Sequence, residues 1–276
     1  MTKYPLYTLL VLLAAACSDK QAGNSTPTAP ASAPAAATTS TAMPPETLPL
    51  TAVTEAQIPA AQRLSGKLTE AWRWQDANGE NLLVVYLTAE HPDHPLNPQD
   101  APDEGADERQ RQLAACQYVR QPGQPYAELW HLRDEERHCS FSLELALLPH
   151  TTTVTDLDHD GQTETTLLYT QGCRSDVSPN GLKLILHEGP AKYALRGYTV
   201  VQVDSLSARQ HQPANPCCLG DLNEQQLDKM YEDPKASYAG QYFNETDFQV
   251  KPEFLRFARQ QWQRYSVFDA ASEEAQ

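Results

Sequence analysis

Positive charge is scarce in this sequence. Its 276 residues contain 21 Lys and Arg against 36 Asp and Glu, which gives a formal net charge of −15. A body this acidic is repelled by phosphate backbones and by anionic lipid headgroups. The composition therefore argues against nucleic acid as a partner. Any attachment to a membrane should come from a covalent lipid rather than from a basic protein surface.

The sequence also lacks the short motifs that mark common enzyme active sites. It contains no G-x-S-x-G elbow, H-E-x-x-H helix, Walker loop or G-x-G-x-x-G fingerprint. A carboxylate pair for glycosidic cleavage needs only proximity in space, so a glycan-processing enzyme stays open as the alternative. Histidines such as His187 are predicted to be surface or hydrogen-bonded residues rather than bases. The sequence favours a non-catalytic protein.

Long apolar runs are missing as well, since spanning a bilayer takes about 20 apolar residues. The apolar run at 6–16 is shorter; it follows Lys3 and ends in three alanines before Cys17. This pattern predicts a signal peptide over residues 1–16. The next residue resembles the lipidated cysteine of a bacterial lipobox, and Ser18 after it is similar to lipoproteins sent to the outer membrane. We expect Cys17 to be lipidated and the protein to be anchored in the envelope of a Gram-negative bacterium; ordinary secretion is the alternative.

Residues 17–60 have the composition of a spacer. The stretch from Ser25 to Leu50 holds six prolines and no aromatic residue. Such a segment cannot bury enough apolar surface to offset the entropy of ordering it. After the lipidated cysteine we therefore predict a disordered Pro/Ala/Thr tether up to residue 60. A single mainly β globular domain is predicted over residues 61–276.

Short alternating or apolar runs recur at close spacing within that domain, with turn sequences between them. The clearest turn is Asn78-Gly79, which is typical of a β-hairpin. This spacing predicts a mainly β fold, either an antiparallel meander with a sandwich-like arrangement or a partial-propeller sheet. The segment KPEFLRFARQQWQRYSVF has apolar residues at steps of three and four, which predicts a C-terminal amphipathic helix packed on the sheet. A membrane-surface helix is the alternative.

Five cysteines follow Cys17, so one thiol must stay unpaired within the chain. No C-x-x-C pair is present, which argues against zinc. If strands at 141–155 and 163–173 run antiparallel, their far ends approach each other and predict a Cys139–Cys173 disulfide. A bridge from Cys116 to Cys217 or Cys218 is the second prediction.

The sequence TDLDHDGQTE at 155–164 concentrates carboxylates. Calcium takes six to eight oxygen ligands, and a loop can supply them when acids stand at positions 1, 3 and 5 with a glycine at position 6. Starting from Asp156, the glycine is Gly161. The predicted calcium ligands are Asp156, Asp158, Asp160, the backbone carbonyl of Gln162, and Glu164.

This loop is not an EF-hand, because position 12 is Leu167 and the flanking residues are β-branched. It resembles the shorter calcium loop between two strands in the aspartate-rich repeats of integrin-type propeller blades, with Glu164 closing the site. The calcium would have a structural role. An Asx-rich turn without a metal is the alternative.

A wider resemblance covers about residues 125–265. The stretches VTDLDHDGQTETTLLYTQGC, DVSPNGLKL and KYALRG are similar to the core of a poorly characterised bacterial envelope family, often assigned to surface polysaccharide biosynthesis. The chain departs from it in the segment NPCCLGDLNEQQ and in the acidic loop near residue 100. The resemblance implies an envelope setting rather than a particular reaction.

One further polar group could bind a ligand. The segment GCRSDVSPNG contributes Arg174 and Asp176, which could join Lys183 and Arg196 in a site for an anionic sugar. The alternative is an ion pair that braces a loop. The sequence as a whole indicates a lipid-anchored binding or scaffold module, with an envelope glycan or protein as partner and an enzyme or accessory factor of surface polysaccharide processing as the alternative.

Overall fold

A computed structural model describes residues 48–93, 108–201, 207–232 and 238–267. The predicted signal peptide, Cys17 and the tether up to residue 47 lie outside the described residues. Within those ranges, no helix is both long enough and apolar enough to cross a membrane.

The described chain is mainly β, as predicted, and its strands form two antiparallel sheets. Sheet one has the order β1-β2-β3-β5-β6, and β4 pairs with the start of β5. Asp76 faces Gly79 across the predicted hairpin turn, which confirms that turn. The strands of sheet one are β1 (Thr51–Ala52), β2 (Lys67–Asp76), β3 (Gly79–Leu87), β4 (His91–Pro92), β5 (Arg109–Arg120) and β6 (Ala127–Cys139).

Sheet two has the order β11-β10-β9, and both β7 and β8 pair with β9. Its strands are β7 (Ser142–Leu147), β8 (Thr153–Thr155), β9 (Glu164–Arg174), β10 (Gly181–Glu188) and β11 (Ala191–Tyr198). Two α-helices follow in the described residues, α1 (Glu224–Glu232) and α2 (Pro252–Tyr265).

The two sheets pack face to face, so the sandwich-like arrangement is the one that forms. Side chains alternate between the two faces of each strand. In β10, Ile185 joins the core between the sheets with Trp74 and Leu83 of sheet one. Leu184 and Leu186 point the other way and pack against α2. Sheet two is therefore apolar on both faces.

Helix α2 confirms the predicted C-terminal amphipathic helix. Pro252 stands at its first turn, where a missing N–H costs little. Phe254, Phe257, Ala258 and Trp262 are buried against sheet two. The steps of three and four thus mark a core-facing stripe.

The folded region begins earlier than the sequence predicts. Within the predicted tether, β1 pairs with β2, and Val53 and Ile58 are buried against the outer face of sheet one. Leu48 and Leu50 pack on the core between the sheets. The boundary at residue 60 is wrong because these few apolar residues lie among prolines and threonines, and their contacts are far away in sequence.

The cysteines confirm one predicted bridge and overturn the other. Cys139 and Cys173 form a disulfide across 34 residues. Cys116 is a buried free thiol on the outer face of sheet one, whereas Cys217 and Cys218 are bonded to each other beside α2. The second predicted bridge is wrong because both sheets and the core between them separate Cys116 from Cys217 and Cys218.

His187 of β10 is buried between the sheets, not at the surface. Its ring stacks on Trp130, with centroids 4.1 Å apart and an interplanar angle of 6°. Burial, and then the nearby charge of Lys192, lower the pKa of His187 to about 4. The imidazole is therefore neutral at pH 7.

Acidification should destabilise the fold through His187. Its pKa is about 4 in the folded protein and 6.5 in the unfolded chain, so the unfolded chain takes up the proton first. The contribution of neutral His187 to the free energy of unfolding is complete above pH 6.5 and is lost as the pH falls toward 4. At pH 4.5 the free energy of unfolding is lower by about 2.5 kcal/mol. Urea unfolding of the wild type and of His187→Phe, which keeps a ring on Trp130, measures the difference. Identical pH profiles for the two proteins would refute this assignment.

Candidate metal centre

The carboxylate-rich loop at 155–164, called the acidic loop from here on, connects β8 to β9. Its backbone turns through two residues in the left-handed region, His159 at φ 61° and Gly161 at φ 85°. The amide of Gly161 donates a hydrogen bond of 3.1 Å to Asp156 Oδ2, which draws the loop around its first acid. Gly161 therefore adopts the left-handed conformation that the predicted sharp turn requires.

Three of the predicted ligands converge. Asp156, Asp158 and Glu164 each offer a carboxylate oxygen, and these oxygens lie within 4.8 Å of one another. Two oxygens bound to one calcium at about 2.4 Å can be at most about 4.8 Å apart. The spacing of this triad can thus accommodate a metal ion.

The same three residues carry unsatisfied oxygens. Asp156 Oδ1, Asp158 Oδ1 and Glu164 Oε1 are all buried and have no hydrogen-bond partner in the described part of the chain. Buried polar atoms are nearly always paired, because an unpaired one keeps its desolvation penalty. Three such atoms on three converging carboxylates favour a cation as their binding partner.

Glu164 is the most enclosed member of the triad, with 0% of its surface exposed. Its Oε2 accepts hydrogen bonds from the Thr155 hydroxyl at 3.0 Å and from the Leu157 amide at 2.8 Å. Burial outweighs these bonds and, with the charge of Asp158, raises the pKa of Glu164 to about 8. Without a cation this carboxyl is largely protonated at neutral pH.

Two residues that the sequence did not reveal complete the surroundings. Lys251, just before α2, donates to Asp158 Oδ2 at 2.7 Å and to Glu188 Oε1 at 3.0 Å. Burial would raise the pKa of Asp158, but the bond and the charge of Lys251 hold it below its usual value. Lys251 lies 93 residues from Asp158. No local pattern could have found this contact.

The remaining predicted ligands lie beside the triad. Asp160 is exposed, and it forms a second group of close carboxylates with Asp158 and Glu188. Its two oxygens accept from the backbone amide of Gln162 at 2.7 Å and from the Gln162 side chain at 2.9 Å. The Gln162 side chain also accepts from Asn78 at 3.1 Å, so these two residues connect the loop to the β2–β3 turn.

The predicted polar ligand site is divided between two places. The Arg174 guanidinium donates to the carbonyl of Ser178, whose amide donates to Asp176, so these residues brace their own loop. Lys183 and Arg196 face each other directly across β10 and β11.

Another carboxylate–histidine group does not have the character of a metal site. Asp93, Glu108 and His138 lie close together. Both oxygens of Asp93 already accept hydrogen bonds, from the Arg137 guanidinium at 2.9 and 3.3 Å and from the His138 amide at 2.8 Å. This buried carboxylate is satisfied by an arginine.

No protein-family model, curated protein or solved structure matches this chain.

Proposed function

We propose that the protein is a lipid-anchored module of the cell envelope, whose β-sandwich binds a partner or serves as a scaffold, with one structural calcium ion in the β8–β9 loop. The calcium proposal is carried by Asp156, Asp158 and Glu164, whose carboxylates converge and which each have one buried oxygen without a hydrogen-bond partner. The anchor is proposed from the sequence of residues 1–17.

The donor set favours calcium over other cations. All candidate ligands are carboxylate or carbonyl oxygens, which suit hard cations rather than zinc or copper. Magnesium retains most of its water and uses one or two carboxylates. Three converging carboxylates, each with a buried oxygen, fit calcium better.

The ion would stabilise the fold rather than catalyse a reaction. It would neutralise charges that the fold brings together, and it would fix the connection between β8 and β9. Because Lys251 holds Asp158 and Glu188, the loop is already tied to the start of α2. Calcium would therefore stabilise the loop and the docking of that helix together.

Calcium should raise the thermal stability of the full chain. A ligand that binds only the folded state adds about 2.7 kcal/mol at a hundredfold excess over its dissociation constant. We expect a higher melting temperature in millimolar calcium than in EGTA, and a smaller shift in magnesium. Differential scanning calorimetry measures all three conditions.

Glu164→Gln is the informative variant, because the metal-free carboxyl is already largely protonated and glutamine has its shape. This variant should keep the stability that the wild type has in EGTA and lose the response to calcium. Asp221→Asn, at an exposed acid on another connection, should respond like the wild type. A wild type that melts at the same temperature in calcium and in EGTA would show that the loop is only an acidic turn.

A further inference from the structure

Sheet two extends beyond β11. Residues 240–243 run antiparallel to it: Tyr198 donates to the Gln241 carbonyl at 2.9 Å and Phe243 donates to the Arg196 carbonyl at 2.8 Å. Gly197 lies opposite Tyr242, and a side chain at Gly197 would collide with this backbone. Residues 216–220 pair in turn with 242–243. Residues 240–243 and 216–220 therefore continue sheet two beyond its edge strand β11.

The added segment places Phe243 on a definite side of the sheet. Tyr242 is fully buried among the residues that pack on α2. Its neighbour Phe243 consequently lies on the opposite side, together with Arg196 and Tyr198 of β11. On that side Ala194 belongs to the core between the sheets, whereas the Arg196 side chain is 49% exposed and Phe243 is 39% exposed. Sheet one therefore leaves Arg196 and Phe243 uncovered. Lys192, on the other side of Ala194, is exposed as well.

Aromatic rings form one part of this open side. The rings of Tyr198 and Phe243 lie 5.7 Å apart, and those of Tyr198 and Tyr238 lie 4.7 Å apart in an edge-on arrangement. Phe243 is exposed, and both tyrosines are partly exposed. Partly exposed aromatic side chains that combine an apolar ring with a polar group are typical of a binding surface.

Cations form the other part. Lys183 stands opposite Arg196 in the sheet, and Lys192 lies on the same side of β11. Burial, followed by the charge of Arg196, lowers the pKa of Lys192, so these cations are close enough to repel one another. Asp134 pairs with Lys183 and Asp247 lies 3.9 Å from Arg196, while Lys192 has no ion pair among the described residues. A chain with a net charge of −15 thus gathers three cations beside an aromatic patch.

We propose that this basic aromatic face, formed by Lys183, Lys192, Arg196, Tyr198 and Phe243, binds a carboxylate-bearing polysaccharide. The apolar faces of pyranose rings would lie on Phe243 and Tyr198, and the carboxylates would meet Arg196 and Lys192. Neither part suffices alone, because a neutral glycan leaves the cations unused and a small polyanion leaves the rings unused. The proposal rests on the binding module proposed above and names its ligand class.

Isothermal titration calorimetry of the full chain with hyaluronan hexasaccharide tests the proposal. Maltohexaose serves as the neutral saccharide and tripolyphosphate as the anion without sugar rings. We expect the hyaluronan fragment to bind, and both Phe243→Ala and Arg196→Gln to weaken its binding at least tenfold. Phe141→Ala and Lys67→Gln, an exposed aromatic and an exposed cation elsewhere, should bind like the wild type.

Absence of hyaluronan binding by the wild type would overturn the proposal, and so would binding that neither Phe243→Ala nor Arg196→Gln changes. Equally tight binding of maltohexaose or tripolyphosphate would overturn the carboxylated-saccharide class. The calcium-dependent melting shift is measured on the same samples. If that shift persists without saccharide binding, the ligand proposal alone fails; if the shift is missing, the calcium proposal fails whatever binds the face.

Discussion

Removal of the Cys139–Cys173 disulfide should lower the free energy of unfolding by about 4 kcal/mol. The bridge joins the end of β6 in sheet one to β9 in sheet two, across 34 residues of sequence. A cross-link of this span restricts the unfolded chain, and chain-entropy arithmetic gives about 4 kcal/mol for a loop of this length. The bridge also connects the two layers of the sandwich at the point where the chain crosses between them.

The measurement is urea unfolding of a Cys139→Ala, Cys173→Ala double variant. The matched control is Cys217→Ala with Cys218→Ala, which removes a bridge between adjacent residues and so frees almost no chain entropy. We expect the first variant to lose several times more stability than the control. Equal losses would mean that the Cys139–Cys173 bridge stabilises by local packing and not by constraining the unfolded chain.

Trp262→Ala should be about equally damaging, with a loss of roughly 3–5 kcal/mol. The indole is fully buried, packs edge-on against Tyr242 with centroids 5.1 Å apart, and donates to the Gly240 carbonyl at 2.8 Å. Alanine would leave both a cavity and an unpaired carbonyl. The residue connects α2 to the segment that extends sheet two.

Trp262→Phe keeps a buried aromatic ring, so it loses the hydrogen bond to Gly240 and leaves a smaller cavity than alanine does. We expect its free energy of unfolding to be about 1–2 kcal/mol below that of the wild type, which is a clearly smaller loss than in the alanine variant. Denaturant unfolding followed by near-ultraviolet circular dichroism reports both the stability and the docking of the helix. A loss below about 1 kcal/mol in Trp262→Ala would show that α2 contributes little to the core.

Local patterns predicted the parts of the fold that local contacts build. The Asn78-Gly79 turn, the stripe of α2 and the Cys139–Cys173 bridge each depend on spacing within one short segment or on two strands joined by one loop. Burial of Val53 and Ile58 depends on strands that follow later in the chain. Periodicity carries no information about such contacts, so the tether was predicted too long.

In the candidate metal centre, too, the sequence predicted the residues that local structure positions and missed those that distant contacts bring in. Asp156, Asp158 and Glu164 converge because the turn at Gly161 is encoded within the loop itself. Glu188 and Lys251 reach the site from β10 and from the start of α2. Asp160 has the spacing of a calcium ligand, but in the structure its oxygens are taken up by Gln162. Spacing identified the acids of the loop, whereas tertiary contacts determine which of their oxygens remain unpaired.

If the chain is anchored through its N-terminus, as proposed, a pulling force would enter the folded body close to the 155–164 loop. The Leu48 amide donates to the Val154 carbonyl at 3.1 Å, and Val154 stands two residues before Asp156. Tension applied through the preceding residues would act first on this bond and on the short β1–β2 pairing. The load would then pass to β8, directly beside the three carboxylates. An ion held there would resist the pulling apart of β8 and β9, so metal occupancy would set the force at which this corner of the sandwich opens.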